Sequence, residues 1–101
     1  ITVGKRAPAY ATSTGRVLLA AEPADVRDRY LDRVRLEKLT PNTVTSTVKL
    51  RALIEDARIA NHAIVDQEWE IGLGAISVPV RNSSGRVVAA LNVCCPSART
   101  S

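Results

Sequence analysis

Apolar positions recur every three to four residues through the first 60 positions, then change to short, nearly continuous runs separated by polar clusters. The first spacing belongs to amphipathic helices and the second to strands. Three hydroxyl residues, Thr12, Ser13 and Thr14, precede the run Val17, Leu18, Leu19, Ala20. A hydroxyl at Thr12 or Ser13 can accept a hydrogen bond from a first-turn N–H, so a helix is expected to begin there. Pro23 ends it and suits the first turn of a second helix, in which Val26, Tyr30, Leu31 and Val34 share one stripe. Residues 36–45 read as a loop. Thr45 or Ser46 caps a third helix, whose inward stripe is Leu50, Leu53, Ile54 and Ala57. Asn61, tolerant of left-handed backbone, stops it. Residues 1–4 read as the end of a strand and residues 63–65 as a short strand. Residues 71–81 and 86–95 form a hairpin across the four-residue loop 82–85. This order predicts an α+β fold with an antiparallel sheet.

Placing Arg81 opposite Arg86 sorts the hairpin into two unlike faces. One carries Ile76 opposite Leu91, Val78 opposite Ala89 and Val80 opposite Val87, an aliphatic set expected to pack on the helices. The other carries Leu73 opposite Cys94, Ala75 opposite Asn92, Ser77 opposite Ala90 and Pro79 opposite Val88. Close-packed cores prefer larger side chains than these. Small residues beside an amide with two donors and an acceptor suit the wall of a ligand cavity. A solvent-exposed face and a face covered by another chain are the competing readings.

The helix start adds a second candidate. Ser13, Thr14 and Gly15 would present backbone N–H groups and two hydroxyls at the positive end of a helix dipole, where a carboxylate fits. Ordinary capping, which every helix needs, is the commoner use of such residues.

Composition narrows the function classes. The 101 residues suffice for one domain or part of one, and 46% hydrophobic content excludes a disordered chain. With aromatics at 3%, the core must be aliphatic. There is neither an apolar run long enough to span a bilayer nor a signal-peptide core, so no membrane association is expected. A start at Ile1 is expected of a piece of a longer protein. The net charge of +4 comes from Lys and Arg interspersed with Asp and Glu, as on a solvated helix face, and predicts no sequence-specific DNA reading by these residues. Adjacent Cys94 and Cys95 are expected as free thiols in a reducing cytoplasm, on opposite faces of a strand.

Three further candidates carry less chemistry. His62, Asp66, Glu68 and Glu70 alternate, and in an extended chain would share one face as a possible metal set. Cys94 could act as a nucleophile, yet nothing marks its thiolate as stabilised. Trp69 either covers a cavity or interface or is simply packed. The chain contains no G-x-S-x-G and no glycine-rich phosphate loop.

Three stretches together carry a family resemblance: PAYATSTGRVLLA at 8–20, IVDQEWEIGL at 64–73, and VPVR at 78–81 with GRVVAALNV at 85–93. In this order and spacing the chain resembles the effector-binding domain of IclR-type bacterial transcription regulators, and most resembles members controlling protocatechuate and 4-hydroxybenzoate catabolism. The resemblance implies a GAF-like antiparallel sheet flanked by helices, of which residues 1–101 form the C-terminal part. It also implies an N-terminal winged helix-turn-helix outside this sequence, which alone contacts promoter DNA. It implies a homodimer or tetramer and a small carboxylate or aromatic-acid effector, with no cofactor and no catalysis. The pocket residues it implies are Ser13, Thr14, Gly15, Val65, Leu73, Ala75, Asn92 and Cys94. Some members have an acidic residue at Val65 and a more polar one at Ala75, so this pocket should be more apolar and better suited to an aromatic ring. A purely structural dimerisation module, and a small cysteine- or metal-dependent enzyme, are the alternatives.

Overall fold

The computed structural model describes residues 8–97; the strand end expected at residues 1–4 lies outside the described residues. A short 3-10 turn, Ala9–Ala11, leads into α1 (Ser13–Ala20). Thr12 caps α1, its Oγ1 accepting the Gly15 N–H at 3.1 Å. Helix α2 (Ala24–Arg33) starts directly after Pro23. Of its expected stripe Leu31 is buried, while Val26, Tyr30 and Val34 are half-buried. Helix α3 (Thr47–Ala60) is capped by Ser46, whose hydroxyl accepts the Lys49 N–H, and stops at Asn61 with φ 60°. Leu50, Ile54 and Ala57 of α3 join Val17, Ala20, Leu31, Ala63 and the aromatic Tyr10 in one hydrophobic core.

Strands β1 (Ala63–Asp66), β2 (Leu73–Arg81) and β3 (Val87–Pro96) form an antiparallel sheet in the order β1-β2-β3. This is the α+β class read from the sequence. The hairpin differs in detail. The Asn82 N–H bonds to the Arg86 carbonyl and the Gly85 N–H to that of Asn82, with Gly85 at φ 85°. Asn82 Oδ1 gathers the N–H groups of Ser84 and Arg86. Asn82 can satisfy these donors with its own side chain, and the loop therefore closes one residue later than expected. Arg81 pairs with Val87 rather than Arg86, and a bulge then shifts the register again, so that Val80 pairs with Ala89. The expected partners are accordingly displaced: Ala75 faces Cys94, Ser77 faces Asn92 and Leu73 faces Pro96. Two single-residue shifts restore side-chain parity, and positions 89–94 keep their expected faces. Val87 and Val88, on the loop side of the slip, exchange theirs: half-buried Val87 lies with Pro79 beside Val17 and Ala57, and Val88 is exposed.

The packing of the two faces reverses the sequence reading. Helix α1 lies against the small-residue face, close to Ser77 and Asn92. The aliphatic face, expected under the helices, is exposed: Ile76 40%, Val78 39%, Leu91 61% and Val93 56%, joined by Ile64 of β1. Small side chains let a helix approach a sheet closely, and the polar atoms among them find hydroxyl partners on α1.

Candidate effector cavity

The path from β1 to β2 builds one wall. Sequence alternation predicts that Asp66, Glu68 and Glu70 continue an extended strand. Instead β1 ends at Asp66 and the chain reverses at Gln67 (φ 57°) and Gly72 (φ 86°). The postulated carboxylate face is thereby dismantled. Glu68 pairs with Arg16, Asp66 Oδ1 accepts the Ser97 hydroxyl, and His62 Nδ1 lies 3.1 Å from the Ala60 carbonyl. Among the described residues no group of three or more His, Cys, Asp or Glu side chains is arranged to hold a metal.

The reversal is held from two sides. Thr40 and Thr43, buried in the loop between α2 and α3, donate their hydroxyls to the Gln67 and Glu68 carbonyls. Asn42 Nδ2 donates to the Asp66 carbonyl at 3.1 Å. From α1, the Arg16 guanidinium forks onto both Glu68 oxygens and donates from Nη2 to the Tyr10 carbonyl at 3.0 Å. Arg16 is only 2% exposed. The fork matches the carboxylate geometry and gives this buried charge the partner it requires. The pairing of Arg16 with Glu68 left no signal in the sequence, because the partners stand 52 positions apart.

Between this turn, the start of α1 and the small-residue face lies a cavity of about 460 Å³. All eight residues singled out in the sequence line it: Ser13, Thr14, Gly15, Val65, Leu73, Ala75, Asn92 and Cys94. Trp69 lines it too while packing against the hydrophobic core, and Leu18, Ala9 and Ala11 extend the apolar wall. These last three gave no sequence signal, since their roles depend on how the Ala9–Ala11 turn folds back on α1. The volume lies within the range of small-molecule sites, and the walls are mostly apolar with a few polar groups gathered at one end.

The polar end is built differently from the sequence expectation. The Ser13 hydroxyl is buried, 2.8 Å from Ser77 Oγ and 3.1 Å from Asn92 Oδ1. Thr14 Oγ1 lies 3.1 Å from Ser77 Oγ. Both hydroxyls therefore turn toward the sheet. The Gly15 N–H is taken by Thr12, and Gly15 owes its place to packing: a Cβ there would stand 2.4 Å from the Ala9 Cα and carbonyl oxygen. What remains at the helix end are the N–H groups of Ser13 and Thr14, which no carbonyl of the helix can satisfy. Asn92, expected at the far or lateral edge of a ligand, belongs to this same end. Its Nδ2 donates to Cys94 Sγ at 3.1 Å. Cys94 and Cys95 are both free and exposed.

The Bacterial transcriptional regulator IclR C-terminal model matches residues 1–101. The chain is 45% identical over 93 residues, 92% of its own length, to the Pca regulon regulatory protein of Pseudomonas putida. Its fold superposes on a double mutant of the PobR inducer-binding domain from Acinetobacter in complex with 3-hydroxybenzoic acid, with a TM-score of 0.88 and 36% identity, covering 96% of this chain and 57% of that one. It likewise superposes on an IclR homologue from Microbacterium hydrocarbonoxydans in complex with 4-hydroxybenzoate, with a TM-score of 0.88 and 33% identity, covering 99% of this chain and 41% of that one. The chain spans about a third of the length of the curated relatives it matches (32% of the Pca regulator). Matched from its first residue to its last by the IclR C-terminal model, the chain belongs to the IclR family of bacterial transcriptional regulators.

Proposed function

We propose that the cavity is the sensing site of a DNA-binding transcriptional regulator and takes a small organic acid, an aromatic one above all. The observation that carries this reading is the cavity's division: a donor-bearing end at Thr14 and Asn92, and an apolar body formed by Val65, Trp69, Leu73 and Ala75. A carboxylate suits the positive end of α1, and a ring suits the apolar walls. Hydroxybenzoates bound to two relatives of the same fold support it. On this reading promoter DNA is read by another part of the protein, the assembly is a homodimer or tetramer acting in the cytoplasm, and these residues catalyse nothing. No helix among the described residues is long and apolar enough to cross a membrane.

Calorimetry on the intact protein with 4-hydroxybenzoate, 3,4-dihydroxybenzoate and a two-carbon acid tests the reading. Aromatic acids should bind the more tightly. Ala75→Leu should fill the space and weaken binding. Asn92→Leu should cost about 1–3 kcal/mol where a polar ligand group is left buried and unpaired. If both variants bind with unchanged affinity, the site lies elsewhere. A purely structural association module is the second reading, favoured by the exposed aliphatic face. It predicts no saturable binding of any acid.

A further inference from the structure

We infer that Ser77 is a positioning residue that sets the direction of the Asn92 amide, making the polar end of the cavity a donor-only surface that selects for an acceptor group. The inference rests on the acid-sensing reading and deepens it. Ser77 does not line the cavity: it is 1% exposed, behind the wall. It stands at the centre of a small hydroxyl cluster, with Ser13 Oγ at 2.8 Å, Thr14 Oγ1 at 3.1 Å and Asn92 Oδ1 at 2.9 Å. The last contact follows from the register, in which Ser77 and Asn92 are direct cross-strand partners.

Each hydroxyl has one proton to give. Asn92 Oδ1 accepts from Ser77 and also from Ser13 at 3.1 Å. Ser77, having given its proton to Asn92, accepts from Thr14 and, at 2.8 Å, from Ser13, whose single proton is shared between Ser77 Oγ and Asn92 Oδ1. The protons therefore run from α1 toward the amide oxygen, away from the cavity. An amide whose oxygen is held on one side presents its NH₂ on the other. One N–H meets Cys94 Sγ at 3.1 Å, and the second has no protein partner among the described residues. With the hydroxyls of Ser13 and Thr14 committed to the sheet, and Thr12 Oγ1 accepting the Gly15 N–H with its own proton still to give, the groups left for a ligand at this end are donors from Thr12, Asn92 and the first turn of α1. A carboxylate can accept from all of them. A carboxamide can do so only through its oxygen, and its own NH₂ would meet donors. Without Ser77 the shorter of the two bonds holding the Asn92 oxygen is gone, and a rotated amide can offer that oxygen to the ligand instead.

The test compares wild type with Ser77→Ala for binding 4-hydroxybenzoate and 4-hydroxybenzamide, by calorimetry on the intact protein. Wild type should prefer the acid, and Ser77→Ala should narrow that preference roughly three- to tenfold, the equivalent of one hydrogen bond. The helix dipole is the same in both proteins, so a change in the ratio reports the amide. An equal loss of both ligands, as from general loosening, overturns the inference, and so does an unchanged ratio. If wild type binds neither compound, the acid-sensing reading falls for these acids, and the positioning role is then measured in the free protein. There rotation of the freed amide in Ser77→Ala should shift the Asn92 side-chain NH₂ resonances. Unchanged resonances would sink the role of Ser77.

Discussion

Gly15→Ala sets two effects against each other, and the structure decides between them. Alanine is favoured over glycine in a helix by up to about 1 kcal/mol, so propensity alone predicts a more stable protein. The added Cβ, however, would stand 2.4 Å from both the Cα and the carbonyl oxygen of Ala9, and 2.7 Å from its carbonyl carbon. Ordinary contact begins at 3.4 Å, so the Ala9–Ala11 turn would have to withdraw by about 1 Å. Backbone, not a flexible side-chain end, is what must move, and overpacking of this kind costs about 1–3 kcal/mol, occasionally more. A contact about 1 Å too close, and against backbone, belongs in the upper part of that range, about 2–3 kcal/mol, so the clash should prevail with a net loss of about 1–2 kcal/mol. For the 101 residues taken by themselves that lowers Tm by about 4–16 °C. Because Ala9 and Ala11 line the cavity, aromatic-acid binding should weaken as well. Urea denaturation and thermal melts of wild type and Gly15→Ala measure the effect. A variant as stable as wild type, or more so, would refute the close approach of the turn to α1.

Glu68→Ala should cost about 3–5 kcal/mol, because it strands the buried Arg16 guanidinium without its carboxylate; Arg16→Met combined with Glu68→Leu should cost less than Glu68→Ala alone, a comparison made by chemical denaturation. Leu91→Lys on the exposed aliphatic face should reduce self-association and binding of an apolar dye while leaving the melting temperature of the monomer nearly unchanged, as sedimentation and fluorescence would show. The Glu55 carboxyl is held below the ordinary glutamate value, first by its hydrogen bond with Arg58 and then by Arg27. A depressed folded-state pKa stabilises the fold above the unfolded value, about 4.3, and that contribution is lost as pH falls through the lower folded one. NMR titration should show the Glu55 midpoint rise in Arg58→Ala.

Local chemistry makes much of this protein legible in its sequence alone. Caps at Thr12 and Ser46, the left-handed stop at Asn61 and the apolar stripe Leu50, Ile54, Ala57 depend on neighbours within a turn or two, and each falls where the residues place it. The division of the hairpin into an aliphatic and a small-residue face is equally legible, since strand parity is set by counting. It even survives a wrong register, because the loop residue and the bulge together slip the pairing by an even number. The eight cavity residues can be gathered from this parity and the family resemblance. The sequence does not say which face the helices cover. Burial favours the aliphatic face, yet α1 lies on the other, where small side chains permit close approach and Ser77 and Asn92 meet hydroxyls from the helix. Nor does it show that Gly15 is there for the sake of Ala9, which depends on how the turn folds back on α1. That the Ser13 and Thr14 hydroxyls turn inward, and that Arg16 finds Glu68, depends on contacts across 52 to 79 positions of chain. Such contacts are fixed only when helix, turn and sheet compete for the same few polar atoms in three dimensions.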